Sequence, residues 1–533
     1  MNFHFQNNLI EYPYPSQRRV ILGNQGAVAT SQPLATLAGM EMFWAGGNAV
    51  DAAIATAIAL TVVEPTSNGI GGDAFALVWD GKLHGLNGSG KSPSNLPLEK
   101  YKNLTQVPQY GWLSVTVPGV VAAWHSLWQR WGKLPFAQLF NPAIRYAQQG
   151  FPVSPVTAQT WQLAAKNYLS LKDKEFKPFQ QLFFPRQQAP GVGETWSSLA
   201  HSQTLQEIAN TEGESFYRGR LAQAIANFAK ATGGFITETD LANHRSEWIQ
   251  PISSQYRGLT VWEIPPHTQG IAALMALNIL GELELNANRE TGIVYHQQIE
   301  AMKLAFADLY AQVGDARFMK LSPPDLLSKT YAAQRKKLIT SQAMTRVLPG
   351  LPQGGTVYLA TADENLMVSL IQSNYEAFGS GILIPDTGIA LHNRGAGFSL
   401  QVGHPNQLVA NKYPLHTIIP GFLTQGNTPI GAFGVMGAPM QPQGHLQVVS
   451  NLVDYGMNPQ SALDAPRWRV RQDGSVLVES TVKPKIIADL KARGHEVEIA
   501  PPRMFGKGQI VFRSDKTIIA ASEPRADGLA LAF

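Results

Sequence analysis

The 533-residue chain has no cysteine. That excludes disulfides, thiolate metal sites and a cysteine nucleophile, and it leaves the redox compartment undecided. Charge is also scarce: Asp, Glu, Lys and Arg make up 15% of residues, against roughly a quarter in an average globular domain. The net charge of +4 is small for this length. Basic residues are scattered apart from pairs such as Arg18-Arg19 and Lys336-Lys337, so no nucleic-acid partner is indicated. No apolar run is long enough to span a bilayer, and Met1–Asn8 lacks a basic region followed by an apolar one. Neither a membrane span nor a secretory signal is expected, and the cytoplasm is the default location.

What is plentiful is apolar residue and turn former: 44% hydrophobic residues, 48 Gly and 35 Pro. This composition describes a large buried core with many turns. In the first half, Gly26–Thr30 reads as a strand and Pro33–Ala45 as a helix stopped by Gly46-Gly47. Asn48 then caps the helix Ala49–Val63, which is apolar nearly all round and therefore buried, in all expectation against a sheet. Gly69–Asp73 is a glycine loop leading into a hairpin, Ala74–Trp79 and Lys82–Leu86. Helices follow at Val120–Trp131, Pro142–Gln149 and through most of 155–230, then a strand at Leu259–Ile264 and helices at Gly270–Gly281 and Val294–Val313.

From residue 356 the pattern turns to strands: Thr356–Ala362, Met367–Ser373, Ile389–Asn393, Thr417–Phe422 and Ile430–Met436. A helix at Leu446–Asp454 and a closing set of short strands and one helix complete the chain. Paired sheets flanked by helices, a four-layer αββα sandwich, are the layering this order predicts.

Three stretches invite chemistry. Thr345–Gln353 is a Pro- and Gly-punctuated leader into Gly354-Gly355-Thr356, where a threonine opens a β-branched, alternating strand. Cutting Gly355–Thr356 would free an α-amine beside the Thr356 hydroxyl, a base titrating near pH 8 next to its own nucleophile. The same residues also fit an ordinary turn into a strand. Gly85–Ser92 matches the phosphate-loop pattern, but Pro93 and Pro97 follow at once where a helix is required, and the preceding strand belongs to a hairpin; a nucleotide site is not expected. His296 and Glu300 stand one helical turn apart with no third ligand near in sequence, so a hydrogen bond along the helix face is expected and no metal or other cofactor is assigned.

Further segments carry a likeness over nearly the whole chain: Gly46–Ala53, Gly69–Asp73, Val117-Pro118-Gly119, Phe216–Gly219, Phe306-Ala307-Asp308, Phe378–Gly381, Asp454–Asn458, Ala465-Pro466-Arg467 and Pro524–Gly528. These resemble the γ-glutamyltransferase (glutathione hydrolase) family of N-terminal nucleophile hydrolases. The resemblance implies cleavage before Thr356 into a large chain, 1–355, and a small chain, 356–533, which together form one αββα unit. It implies that Thr356 forms an acyl-enzyme with a small amide substrate, γ-glutamyl or another acidic acyl.

Position by position, Ser373 stands where the family has a second threonine that holds the new α-amine. Thr417, after His416, matches a hydroxyl in the family's Pro-x-Ser-Ser motif. Met440 and Gln441 fall where backbone N–H groups form the oxyanion hole. The acyl pocket departs from the pattern. Ser89 replaces the arginine for the glutamyl α-carboxylate, with Lys91 two residues on. Gly397 replaces the acid for the α-ammonium, Arg394 its neighbour, and Tyr375 a binding asparagine. The pattern Phe378-Gly379-Ser380-Gly381 with Asn393-Arg394-Gly395 resembles a divergent branch of the family that includes oxamate amidohydrolase, and glutaryl-type cephalosporin acylases are relatives too. The expectation is an amidohydrolase for γ-glutamyl, oxamyl or glutaryl amides, with Tyr375, Arg394, His416 and Thr417 around the acyl group. A homodimer is left open, and so is a catalytically idle homologue.

Overall fold

The computed structural model describes residues 13–14, 18–344 and 355–533. The leader Thr345–Gly354 and the Met1–Asn8 segment lie outside them. Two seven-stranded sheets dominate. The first runs Leu529–Ala532, Gly26–Thr30, Gly355–Asp363, Met367–Tyr375, Asp73–Trp79, Leu83–Gly88 and Glu247–Ile249, every pair antiparallel. The second runs Ile21–Gly23, Thr517–Ser522, Lys507–Ser514, Thr428–Met436, Gly421–Gln425, Leu259–Glu263 and Ile252–Tyr256, also antiparallel throughout.

The sheets face each other across a core containing Phe75, Leu77, Tyr358, Ala360, Phe422, Ala432 and Val511. The approach is tight at Gly434, where a Cβ would lie 2.5 Å from the Tyr358 ring. Only a residue without a side chain lets the two strands pass at that point.

Helices cover both outer faces, giving the αββα layering of N-terminal nucleophile hydrolases. Against the first sheet lies Ala49–Val63, in which every residue is buried. Its alanines order at little side-chain entropy cost, and Thr56 and Thr61 return their hydroxyls to the Ala52 and Ile58 carbonyls. Asn48 and Asp51 close a capping box at its start, which satisfies N–H groups that burial would otherwise orphan. Gly270–Gly281 and Met440–Val453 pack against the second sheet, and Gly292–Gln312 packs on Gly270–Gly281.

Three expectations shift. Ile389–Asn393 forms no strand; it makes isolated bridges, Gly71 with Leu391 and Leu383 with Ala390, because a tight loop through Gly379, Gly381 and Gly388, all at positive φ, curls around it. The strand expected at Thr417–Phe422 begins at Gly421, since the preceding backbone is taken by side chains: the Ile419 N–H donates to Gln441 Oε1 and the Thr417 carbonyl accepts from Gln269. The helix expected from Leu446 starts six residues earlier, at Met440, with Pro442 in its first turn, where a missing N–H costs nothing.

Candidate active site

Thr356 is the second residue of a central strand, and the register slips between Gly355 and Val357. Such irregularities re-aim a side chain out of the regular ladder. Thr356 Oγ1 donates to Ser373 Oγ across the strand pair at 3.2 Å, and Ser373 Oγ accepts the Tyr375 N–H at 2.7 Å. Thr356 is 1% exposed. Tyr375 holds φ at +74°, a conformation non-glycine residues rarely take, and such strain concentrates at functional sites.

Beside this pair lies a cluster of charged and ring side chains, all buried. The Arg394 guanidinium sits 4.3 Å from the centre of the Tyr375 ring and donates from Nη1 to Thr417 Oγ1 at 2.8 Å. Its Nε is 3.6 Å from Asp73 Oδ2, too long for a hydrogen bond. Arg394 Nε and Nη2 and Tyr375 Oη have no hydrogen-bond partner among the described residues. At Gly397 a Cβ would stand 4.0 Å from Tyr375 Oη, so the absent side chain leaves room beside that hydroxyl. Burial pulls Arg394 down to about 10, against the opposing pull of Asp73.

Asp73 opens the strand Asp73–Trp79. Its Oδ2 is 3.0 Å from His416 Nε2, and its Oδ1 is 3.6 Å from His392 Nε2. Burial raises its carboxyl to about 7 even though Arg394 opposes the shift. No role was read for Asp73 in the sequence. The available signal was an acidic residue heading an otherwise apolar strand, with no helix to cap.

The ring nitrogens of His416 are both engaged, by Asp73 and by the Ile418 N–H at 3.4 Å, and its ring packs edge-on against Phe75 at 4.7 Å. It is a fixed structural neighbour of Asp73. Ser89, which stands where the family carries an arginine, bonds Asn87 and His267 Nε2. Lys91 turns away to Glu247 at 3.8 Å and the Tyr413 ring. The phosphate-loop match ends in the hairpin strand Leu83–Gly88 followed by irregular backbone, so no helix N-terminus faces it.

The Met440 and Gln441 N–H groups donate to the Gly437 and Ala438 carbonyls, each at 3.0 Å. In this conformation both are committed to the turn that starts the helix. Within that turn Gln441 Nε2 has no partner among the described residues, while its Oε1 accepts the Ile419 N–H.

Away from this centre, His296 and Glu300 do acquire a third group, which the sequence reading lacked. His495 arrives from the chain's last third, its Nε2 2.8 Å from His296 Nδ1. His296 Nε2 reaches the Thr340 carbonyl, and Glu300 takes the Met344 N–H and the Lys303 ammonium at 2.9 Å. Lys303 supplies the positive charge a metal would bring, and the network fastens residues 340–344 to the helix.

A strand-heading threonine paired with a second hydroxyl, between stacked antiparallel sheets with helices outside, defines an N-terminal nucleophile hydrolase. Comparison narrows this further. A family model described as gamma-glutamyltranspeptidase matches residues 35–533, and the chain belongs to that family. It is 35% identical to the glutathione hydrolase-like YwrD proenzyme of Bacillus subtilis, over 96% of this chain and 99% of that one. It is 31% identical to the oxamate amidohydrolase proenzyme of Klebsiella pneumoniae, over 96% and 99%. The crystal structure of a cephalosporin acylase from Bacillus halodurans superposes with a TM-score of 0.94 at 51% identity, covering 99% of each chain. The chain is therefore an enzyme of this family, and both of those curated relatives are named as proenzymes. Among the described residues no helix is long and apolar enough to cross a membrane.

Proposed function

We propose that the chain cuts itself between Gly355 and Thr356, into 1–355 and 356–533, and then hydrolyses amides of a small acidic acyl group. Thr356 Oγ attacks the amide carbonyl, and the freed Thr356 α-amine takes its proton. The tetrahedral intermediate collapses, the leaving amine receives that proton, and an ester remains on Thr356. Water, deprotonated by the same amine, attacks the ester and releases the acid. Ser373 holds the hydroxyl and the new amine in place. The donor for the oxyanion is a group in the Gly437–Gln441 turn; Met440 and Gln441 N–H serve if the turn opens, and Gln441 Nε2 is already unpaired.

The observation that carries this reading is the 3.2 Å Thr356–Ser373 contact at the head of a central strand. For the acyl group, the unfilled Nε and Nη2 of Arg394 support a carboxylate, so glutaryl or oxamyl amides fit better than neutral ones. A γ-glutamyl acyl is the second reading, favoured by Glu376: its Oε1 has no partner among the described residues, and it stands next to Tyr375, suited to an α-ammonium. Denaturing electrophoresis with intact mass, followed by assay of glutaryl, oxamyl and γ-glutamyl amides, tests the proposal. Two chains meeting at Gly355/Thr356 and turnover of an acidic acyl amide are expected. A cut that persists in Thr356→Ala overturns the assignment, and a processed protein that turns over none of the amides is an idle homologue.

A further inference from the structure

We propose that Asp73 makes acyl recognition proton-coupled: when a substrate carboxylate occupies the free edge of Arg394, Asp73 takes up a proton and relinquishes its share of the guanidinium. This rests on the reading of Arg394 as the carboxylate receptor.

The argument is a charge count over everything facing Asp73. Three side chains lie within 3.6 Å of its carboxylate, His392, His416 and Arg394, and the Gly90 backbone also favours its charged form. His416 accepts the Ile418 N–H at Nδ1, so its proton is on Nε2, donated to Asp73; burial first and Arg394 second keep it neutral. His392 accepts the Arg394 N–H at Nδ1, and burial with Arg394 holds it down to about 3. Tyr217 feels the Asp73 charge, and burial holds its hydroxyl protonated. Farther out, His267 lies across from His416, held to about 3 chiefly by burial, with Lys91 beyond it paired to Glu247. Tyr375 lies under the guanidinium, and Glu376 faces it with a carboxyl that burial raises to about 8. Above pH 7 the pocket therefore holds one fixed cation, Arg394, and one anion, Asp73, with Glu376 ionising only as the pH passes 8.

A substrate carboxylate brings a second anion to the same guanidinium. Two carboxylates around one cation in a water-poor site do not both stay ionised. Asp73 is the one that yields. Its contact with Arg394 is 3.6 Å with no hydrogen bond, its Oδ1 has no hydrogen-bond partner among the described residues, and burial already disfavours its charge. The incoming carboxylate can take the unused Nε and Nη2 as a fork, the stronger arrangement. Asp73 then acts as a specificity-determining group that sets which charge state of ligand plus pocket is accepted.

Linkage fixes the size of the effect. One proton bound per ligand weakens binding by up to tenfold per pH unit above the free group's pKa. The probe is glutarate, bound to the processed enzyme and followed by calorimetry in two buffers of different ionisation enthalpy, beside KM for a glutaryl anilide from pH 6 to 9. Wild type should take up close to one proton above pH 7, with KM rising up to tenfold per unit. Asp73→Asn should bind glutarate without the proton uptake that sets in near pH 7, keeping only the contributions of Glu376, near 8, and of the Thr356 amine, which both proteins share; Asp73→Ser serves if the asparagine variant does not mature. Glutarate binding that needs Arg394 but brings no proton uptake in wild type overturns the coupling alone. Glutarate binding unchanged in Arg394→Gln overturns the carboxylate reading beneath it.

Discussion

The Arg394 guanidinium lies 4.3 Å over the Tyr375 ring, yet among the described residues only its Nη1 has found a side-chain acceptor, Thr417. An arginine stacked on an aromatic face is held in orientation without spending its hydrogen bonds. The strained backbone at Tyr375 lies two residues beyond Ser373 on the same strand, which places the ring under that fork close along the chain to the partner of Thr356.

Replacing Arg394 tests what the fork is for. Arg394→Gln should lower kcat/KM for a glutaryl amide by roughly thirtyfold to a few thousandfold, the 2–5 kcal/mol typical of truncating a buried charged partner. The loss should fall mainly on KM. Arg394→Lys should recover only part of it, because an ammonium cannot present the planar pair. Folding should survive, since Asp73, already near 7, simply protonates. Steady-state kinetics on a glutaryl and a neutral acyl amide decide; equal losses on both would contradict a carboxylate role.

At the proposed nucleophile, Thr356→Ala should give an uncut chain with background turnover, while Thr356→Ser should cut and turn over. Ser373→Ala should slow both processing and turnover by on the order of 100-fold, the lower range for losing an acid–base element. Ser373→Thr should retain most of both. Gels sampled over time and intact mass separate the processing effect from turnover.

The tight sheet-to-sheet contact at Gly434 gives a stability prediction. In Gly434→Ala the new methyl would meet the Tyr358 ring at 2.5 Å, and Tyr358 is fixed by Ser369 at 2.7 Å. Overpacking of this kind costs roughly 1–3 kcal/mol. Urea unfolding should show a lower midpoint, and because Tyr358 lies two residues beyond Thr356, processing should slow as well. An unchanged midpoint would mean the sheets slide apart without cost.

Stability should fall on the acid side. Burial holds His201 and His244 to about 4 and His267, His392 and His495 to about 3. In the unfolded chain histidine titrates near 6.5, so below that pH the unfolded state binds protons the folded state refuses, and stability declines toward pH 4. Asp73 and Glu376, raised by burial to about 7 and 8, work the other way: their contribution is present at low pH and is lost as pH rises through those values. The histidines are the larger set, so thermal midpoints should drop from pH 6.5 to pH 4.5. A flat midpoint across that range would contradict the neutral assignments.

The layers were readable because they rest on local patterns. The helix Ala49–Val63, apolar nearly all round, announced a buried face, and alternation from Thr356 placed its hydroxyl and that of Ser373 on facing strands. What escaped depends on contacts distant in sequence. Asp73 meets Arg394 and His416 across more than three hundred residues, and nothing in a glycine loop announces such a partner. His495 likewise joins His296 and Glu300 from far along the chain. The strand expected at Thr417 was displaced because Gln269 and Gln441 side chains claim its backbone groups, and propensity does not see competition of that kind.

The order of strands in the two sheets bears on what a cut at Gly355 would leave. In the first sheet Gly26–Thr30 lies between Leu529–Ala532 and Gly355–Asp363, and in the second Ile21–Gly23 and Leu259–Glu263 flank strands from the far end of the sequence. The two products would be interlaced, with no face along which to part. Separation and melting would be one event that releases two chains from one folded body, so the cut enzyme should unfold in a single transition whose temperature rises with protein concentration. Made apart, each piece would carry open strand edges whose proper neighbours belong to the other.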